Sequence, residues 1–166
     1  TAITIYNTDP AYRTGRLIAV NSSYICYGVK GGSIRVIHQA TGMRLLQKGH
    51  STSDLGDVAL SEASGDTCFM ASCSDEGDLF IWRLSLEDGT NMAASEVHRV
   101  EGGRNGQPEQ TYRRAVWHPT QEVLLTACAD GSVRRWSCSG GQWTAADMCK
   151  HAGSVSDVAW VGSGGE

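Results

Sequence analysis

The feature that most restricts the fold is a short phrase written three times. It reads Gly31-Gly32-Ser33-Ile34-Arg35-Val36-Ile37, then Gly77-Asp78-Leu79-Phe80-Ile81-Trp82, then Asp130-Gly131-Ser132-Val133-Arg134-Arg135-Trp136. Each copy is a glycine turn followed by a segment whose successive side chains suit opposite faces of a strand. The copies end at Ile37, Trp82 and Trp136, 45 and 54 residues apart. A second phrase keeps the same beat: Asp57-Val58-Ala59-Leu60 returns as Asp157-Val158-Ala159-Trp160, 100 residues later. A turn, a strand and a terminal Trp at this period predict four-stranded propeller blades. One such sheet cannot bury its faces alone, so the chain is expected to be an all-β stack of about three like antiparallel sheets. Function then belongs on rims and loops.

The rest of the chain reads as hairpin after hairpin, with helical periodicity never sustained. Turns are expected at Lys30-Gly31-Gly32, Thr41-Gly42, Glu87-Asp88-Gly89 and Ser139-Gly140-Gly141. The approximate repeats are 15–48, 49–100 and 111–149, with a further blade opening over 150–166 and a strand at Val155 to Trp160. A possible additional strand is Ala2 to Tyr6. The stretch 101–110 is polar, carries Gly102, Gly103, Gly106 and Pro108, and is expected to be a surface loop. The chain of 166 residues does not begin with Met and reads as part of a longer propeller, because closed rings take roughly 4 to 8 blades.

Charge and cysteine content narrow the function classes. The net charge of −4, from 14 Lys and Arg against 18 Asp and Glu, argues against a broad electrostatic footprint on nucleic acid. The pairs Arg113-Arg114 and Arg134-Arg135 do not reverse that, since strand neighbours point to opposite faces; a solvated face is the expectation. Arg135 stands at the inward position that Val36 and Ile81 hold in the sister repeats. No stretch approaches the ~20 apolar residues that span a bilayer, so no membrane partner is expected. The cysteines are Cys26, Cys68, Cys73, Cys128, Cys138 and Cys149, with no Cys-x-x-Cys pair. Free thiols behaving as small hydrophobes are expected, and neither a metal nor another cofactor. His38, His98 and His118 fall outside the repeated His position and read as surface or turn residues.

Gly-His, a strand, a turn acid and a strand-ending Trp together make the WD-repeat signature. His50, Ser72 or Ser74, and Trp82 fit it in the second repeat, with Glu76 at the turn-acid position beside Asp75. Asp130 and Trp136 fit it in the third, which no Gly-His precedes. His50, Trp82, Asp130 and Trp136 are thus structural repeat residues. A buried imidazole, carboxylate or indole N–H is costly unless each satisfies another, which predicts a hydrogen-bonded chain inside each blade. No catalytic residues are assigned: there is no Gly-x-Ser-x-Gly elbow, and the Ser, His and Asp recur as scaffold positions do.

A closer resemblance lies in Gly15-Arg16-Leu17-Ile18-Ala19-Val20 through Tyr24-Ile25-Cys26-Tyr27-Gly28-Val29-Lys30, then Leu45-Leu46-Gln47-Lys48-Gly49-His50 and Asp75-Glu76-Gly77-Asp78-Leu79-Phe80-Ile81-Trp82-Arg83. This wording resembles the enhancer-of-mRNA-decapping WD-repeat scaffold family, Varicose-like proteins included. The resemblance implies a non-enzymatic scaffold of cytoplasmic processing bodies (P-bodies) that holds decapping enzyme and activators together in mRNA turnover. It also implies oligomerisation through regions not present in this sequence, and it supplies no partner-binding residues here. Rivals are a WD-repeat module of another complex, such as a ubiquitin-ligase receptor or a trafficking coat, and direct RNA binding on a basic face.

Overall fold

The computed structural model describes residues 15–50, 54–102 and 111–161. The expected strand Ala2 to Tyr6 lies outside them, as do most of the polar stretch after Gly102 and the last five residues. Among the described residues there are twelve strands and no helix.

The strands form three four-stranded antiparallel meanders. Blade 1 is β1 (Ile18–Val20), β2 (Tyr24–Val29), β3 (Ser33–His38) and β4 (Arg44–Lys48). Blade 2 is β5 (Leu55–Leu60), β6 (Thr67–Ser74), β7 (Leu79–Glu87) and β8 (Asn91–Val100). Blade 3 is β9 (Tyr112–Trp117), β10 (Val123–Cys128), β11 (Ser132–Ser139) and β12 (Gln142–Lys150). The first strands of the three sheets adjoin one another, so β1, β5 and β9 form the inner wall of a propeller arc. Gly77 and Gly131 open the turns into β7 and β11 at φ +98° and +90°, a region that glycine enters without a Cβ penalty.

Register shows that the repeated phrase marks one place in each sheet. Ile37 pairs with Ile25, Trp82 with Met70, and Trp136 with Leu124. All three phrase ends are buried. Strand alternation then assigns each face a neighbour. Phe80, Trp82 and Leu84 of β7 pack with Val36, Cys26 and Val58 between blades 1 and 2. Leu79 and Ile81, pointing the other way, pack with Tyr112, Leu124 and Trp136 between blades 2 and 3. A fully buried Leu, Ile or Phe contributes roughly 1.5–3 kcal/mol. These shared faces therefore hold the arc together, and blade 2 has one on each side.

Several expectations are corrected. Val155 to Trp160 forms no strand. A strand exists only where a neighbour completes its ladder. This segment is tied to blade 3 by single contacts instead, Val155 N–H to the Cys128 carbonyl at 3.3 Å and the Trp160 indole to the Val116 carbonyl at 3.2 Å. Lys150 is the last residue of β12. Gly102, expected on a surface loop, is buried because its N–H donates to Asp78 Oδ1 at 2.8 Å and its Cα packs against the Gly77 backbone. The fourth strand of blade 2 begins at Asn91, just after the expected turn, because the Glu87–Asn91 pairing closes the hairpin tightly.

Candidate functional site

The repeat residues of blade 2 converge on one hydroxyl. Ser72 Oγ, fully buried on β6, accepts the Trp82 indole N–H at 2.9 Å and is hydrogen-bonded to His50 Nε2 at 2.8 Å. Ser74 does not join them; its Oγ accepts the Asp78 N–H at 2.9 Å. The His50 ring meets Phe80 edge-on at 4.5 Å between centroids, and Phe80 stacks on Trp82 at 5.3 Å. The glycine before His50 has a packing reason: a Cβ at Gly49 would lie 2.5 Å from Trp82 Cζ2. In blade 3 the Trp136 indole donates to Thr126 Oγ1 at 2.9 Å, so Thr126 stands where Ser72 does.

The turn acids behave differently from the expectation. Asp130 folds back on its own turn, accepting from the Ser132 N–H at 3.0 Å and the Ser132 hydroxyl at 2.6 Å, with Lys150 Nζ at 3.5 Å. Burial alone would raise its carboxyl, but the Ser132 hydrogen bonds and the Lys150 and Arg134 charges outweigh that and hold it below the usual aspartate range. In blade 2 the buried turn carboxylate is Asp78, while Glu76 is exposed.

A charged chain along the inner wall was not visible to motif reading. Asp57, fully buried on β5, accepts from the Arg16 N–H at 2.7 Å and the Ala115 N–H at 2.9 Å, and pairs with Arg16 at 3.3 Å and Arg114 at 3.1 Å. The Arg16 guanidinium also donates to the Ala115 carbonyl. Arg114 continues to Asp157 at 2.8 Å. The order Arg16, Asp57, Arg114, Asp157 therefore alternates in sign across all three blades and the segment after them. The expectation of a solvated face holds for exposed Arg113 but not for Arg114, whose side chain is 12% exposed. The signal was present: Arg114-Ala115-Val116-Trp117 falls between the two Asp-Val-Ala phrases. Arg135 is half-buried on the face of blade 3 turned away from blade 2, and among the described residues it forms no ion pair.

The other histidines and the thiols serve packing. His38, expected at the surface, is buried in β3 with Nε2 3.0 Å from Asp66 Oδ1 and Nδ1 3.0 Å from Thr41 Oγ1. His98 lies half-buried on β8 against the Trp136 ring, and burial lowers its pKa. His118 is at its expected turn, with Nδ1 accepting the Thr120 N–H at 3.1 Å. Cys26, Cys68, Cys73 and Cys128 are buried free thiols. Burial pushes the Cys68 and Cys128 thiols up to about 11, so they stay protonated and unreactive.

Clefts open among the described residues. One of about 330 Å³ lies between blades 2 and 3, bounded by the β5–β6 loop and the β9–β10 loop over Phe69. Another of about 320 Å³ lies where Asp157 to Trp160 cross the inner wall beside Arg16 and Arg114.

Comparison with known proteins gives this geometry a family. The Ika4 protein, a computational design, superposes over 93% of this chain and 82% of its own with a TM-score of 0.58 at 17% identity. The designed Ika8 protein covers 82% of this chain and 37% of its own, with a TM-score of 0.57 at 19% identity. These two show the fold. Enhancer of mRNA-decapping protein 4 of Rattus norvegicus is 33% identical over 120 residues, 69% of this chain and 8% of that protein. The protein of the same name from Homo sapiens is 32% identical over 120 residues, with the same coverage of 69% and 8%. Protein SEC13 homolog of Rattus norvegicus is 31% identical over 118 residues, 66% of this chain and 33% of that protein. The chain thus spans about a twelfth of the length of the decapping relatives, 8%. The family model described as the WD40 region of Ge1, enhancer of mRNA-decapping protein, matches residues 1–132. With three WD-type sheets in place and that match over most of its length, the chain belongs to the Ge1 WD40 family of mRNA-decapping enhancers.

Proposed function

We propose that this domain is the protein-interaction module of an mRNA-decapping scaffold, acting in cytoplasmic processing bodies and not as an enzyme. It brings decapping enzyme and activators together; holding two partners on one body raises their effective concentration with no chemistry of its own. The observation that carries the reading is an arc of three WD-type sheets in a chain of the Ge1 family, in which the buried Ser72 and Asp57 are committed to the scaffold. His50, Trp82, Asp130 and Trp136 serve as structural repeat residues in repeats near 15–48, 49–100 and 111–149, and partners meet the loops. Oligomerisation belongs to other regions of the scaffold.

Affinity purification of the intact protein, with and without nuclease, tests the proposal. Nuclease-resistant recovery of decapping enzyme or an activator is expected, together with colocalisation with them in cytoplasmic granules. Their absence, or recovery that nuclease abolishes, contradicts it. The similarity to Protein SEC13 homolog favours a second reading, a propeller module of a different assembly. Recovery of a coat or ligase complex in the same experiment would select that one.

A further inference from the structure

We propose that the cleft between blades 2 and 3 is a docking site for a short peptide segment that presents one apolar side chain between basic ones. The floor is Phe69, half-buried and fixed by two tryptophans: it stacks on Trp117 at 5.8 Å and 24°, and meets Trp143 edge-on at 5.3 Å. Ala63 and Pro119 add apolar wall, and the volume of about 330 Å³ lies at the small end of the range for ligand pockets. Glu62 and Glu122 stand exposed on the two opposing loops, and no Lys or Arg lines the cleft. Charge complementarity therefore asks for cations flanking an apolar anchor.

The walls are preformed. The Ser61 N–H donates to the Phe69 carbonyl at 2.8 Å, the Phe69 N–H returns to Ser61 Oγ at 2.9 Å, and Ser64 bridges to Thr67. The His118 N–H closes the opposite loop onto the Val123 carbonyl at 2.8 Å. Glu62 is steadied by the Ser22 hydroxyl of blade 1 at 2.8 Å. A site whose walls need no ordering loses little affinity to entropy. The cleft contains none of the residues of the inner-wall charge chain or of the Ser72 hub, so it is free of the structural duties that occupy them. The proposal holds for whichever assembly the scaffold serves.

A positional-scanning pentapeptide library presented to the full chain tests it. The expected selection is Leu, Met or Phe at the centre with Lys or Arg on either side. Double reversal, Glu62→Lys with Glu122→Lys, should weaken the selected peptide about tenfold and turn the flank preference to Asp and Glu. Phe69→Ala should weaken binding by a similar factor and leave the flank preference basic. Both reversed positions are exposed, so a circular dichroism spectrum matching the parent should accompany the reversal even if Phe69→Ala unfolds. No selection above background, selection of acidic flanks, or a preference that survives the double reversal would overturn the proposal.

Discussion

Blades 2 and 3 are built to one plan but supported differently. Blade 2 is covered on both faces, and its Ser72 hydroxyl serves both His50 and Trp82. Blade 3 shares one described face with blade 2. Its Thr126 accepts the Trp136 indole but no histidine joins it there among the described residues, and β12 is exposed except at Trp143. The same sheet can therefore be a keystone or an outer member, depending on how many buried polar groups one hydroxyl satisfies and how many faces are shared. Asp57 sharpens the contrast, since it binds the first strand of blade 3 and the segment leading into blade 1 at once.

The largest difference should appear on removing that carboxylate. Asp57→Ala leaves the half-buried Arg114 without its inner partner and frees the buried Ala115 N–H, a change expected to cost about 3 kcal/mol. This is the low end for a broken buried pair, because Arg114 keeps Asp157. Asp157→Ala, at a side chain 67% exposed, should cost about 0–1 kcal/mol. Urea melts of the two variants check this, and equal losses would remove Asp57 from its keystone role.

Next comes the hydroxyl pair. Each buried polar group left without a partner costs about 1–3 kcal/mol. Ser72→Ala removes the acceptor of the Trp82 indole and a partner of His50, whereas Thr126→Val removes the acceptor of the Trp136 indole. The loss at Ser72 should exceed that at Thr126 by the same melts.

A smaller effect follows acidity. The Asp130 pKa lies below that of the unfolded chain, so its contribution is present above the ordinary aspartate range and is lost as pH falls through the folded value. Asp130→Asn should flatten the acid limb of the stability profile, and an unchanged limb would exclude its turn from that dependence. Smallest of all, Arg135→Leu should be neutral or stabilising by less than about 1 kcal/mol, as for surface changes without a partner. A loss above about 2 kcal/mol would reveal a buried pair.

What the sequence disclosed tracks what repeats. The glycine turns and the terminal Trp recur, so the three sheets and their order were legible, as were Trp82 and Trp136 in equivalent registers. Ser72 was narrowed to two candidates and no further, because Ser72 and Ser74 point to the same face two residues apart. Asp57 and Arg114 were missed because they differ in charge at matching places. A repeat shows itself as likeness, whereas an alternating ion pair is a pattern of complementarity. His38 was misplaced because a lone His is judged by its neighbours in sequence, and its partner Asp66 comes from the next blade. The strand at Val155 to Trp160 was predicted from likeness to β5, but pairing needs neighbours that local sequence cannot supply.

Hydrogen exchange at the indole N–H groups tests most directly whether the sheets are equivalent units with their own buried hubs. Slow exchange is predicted at both Trp82 and Trp136, with Ser72→Ala accelerating Trp82 and leaving Trp136 unchanged, and Thr126→Val doing the reverse. Fast exchange at either indole in the parent chain, or acceleration of both by one substitution in a chain that remains folded, would contradict it.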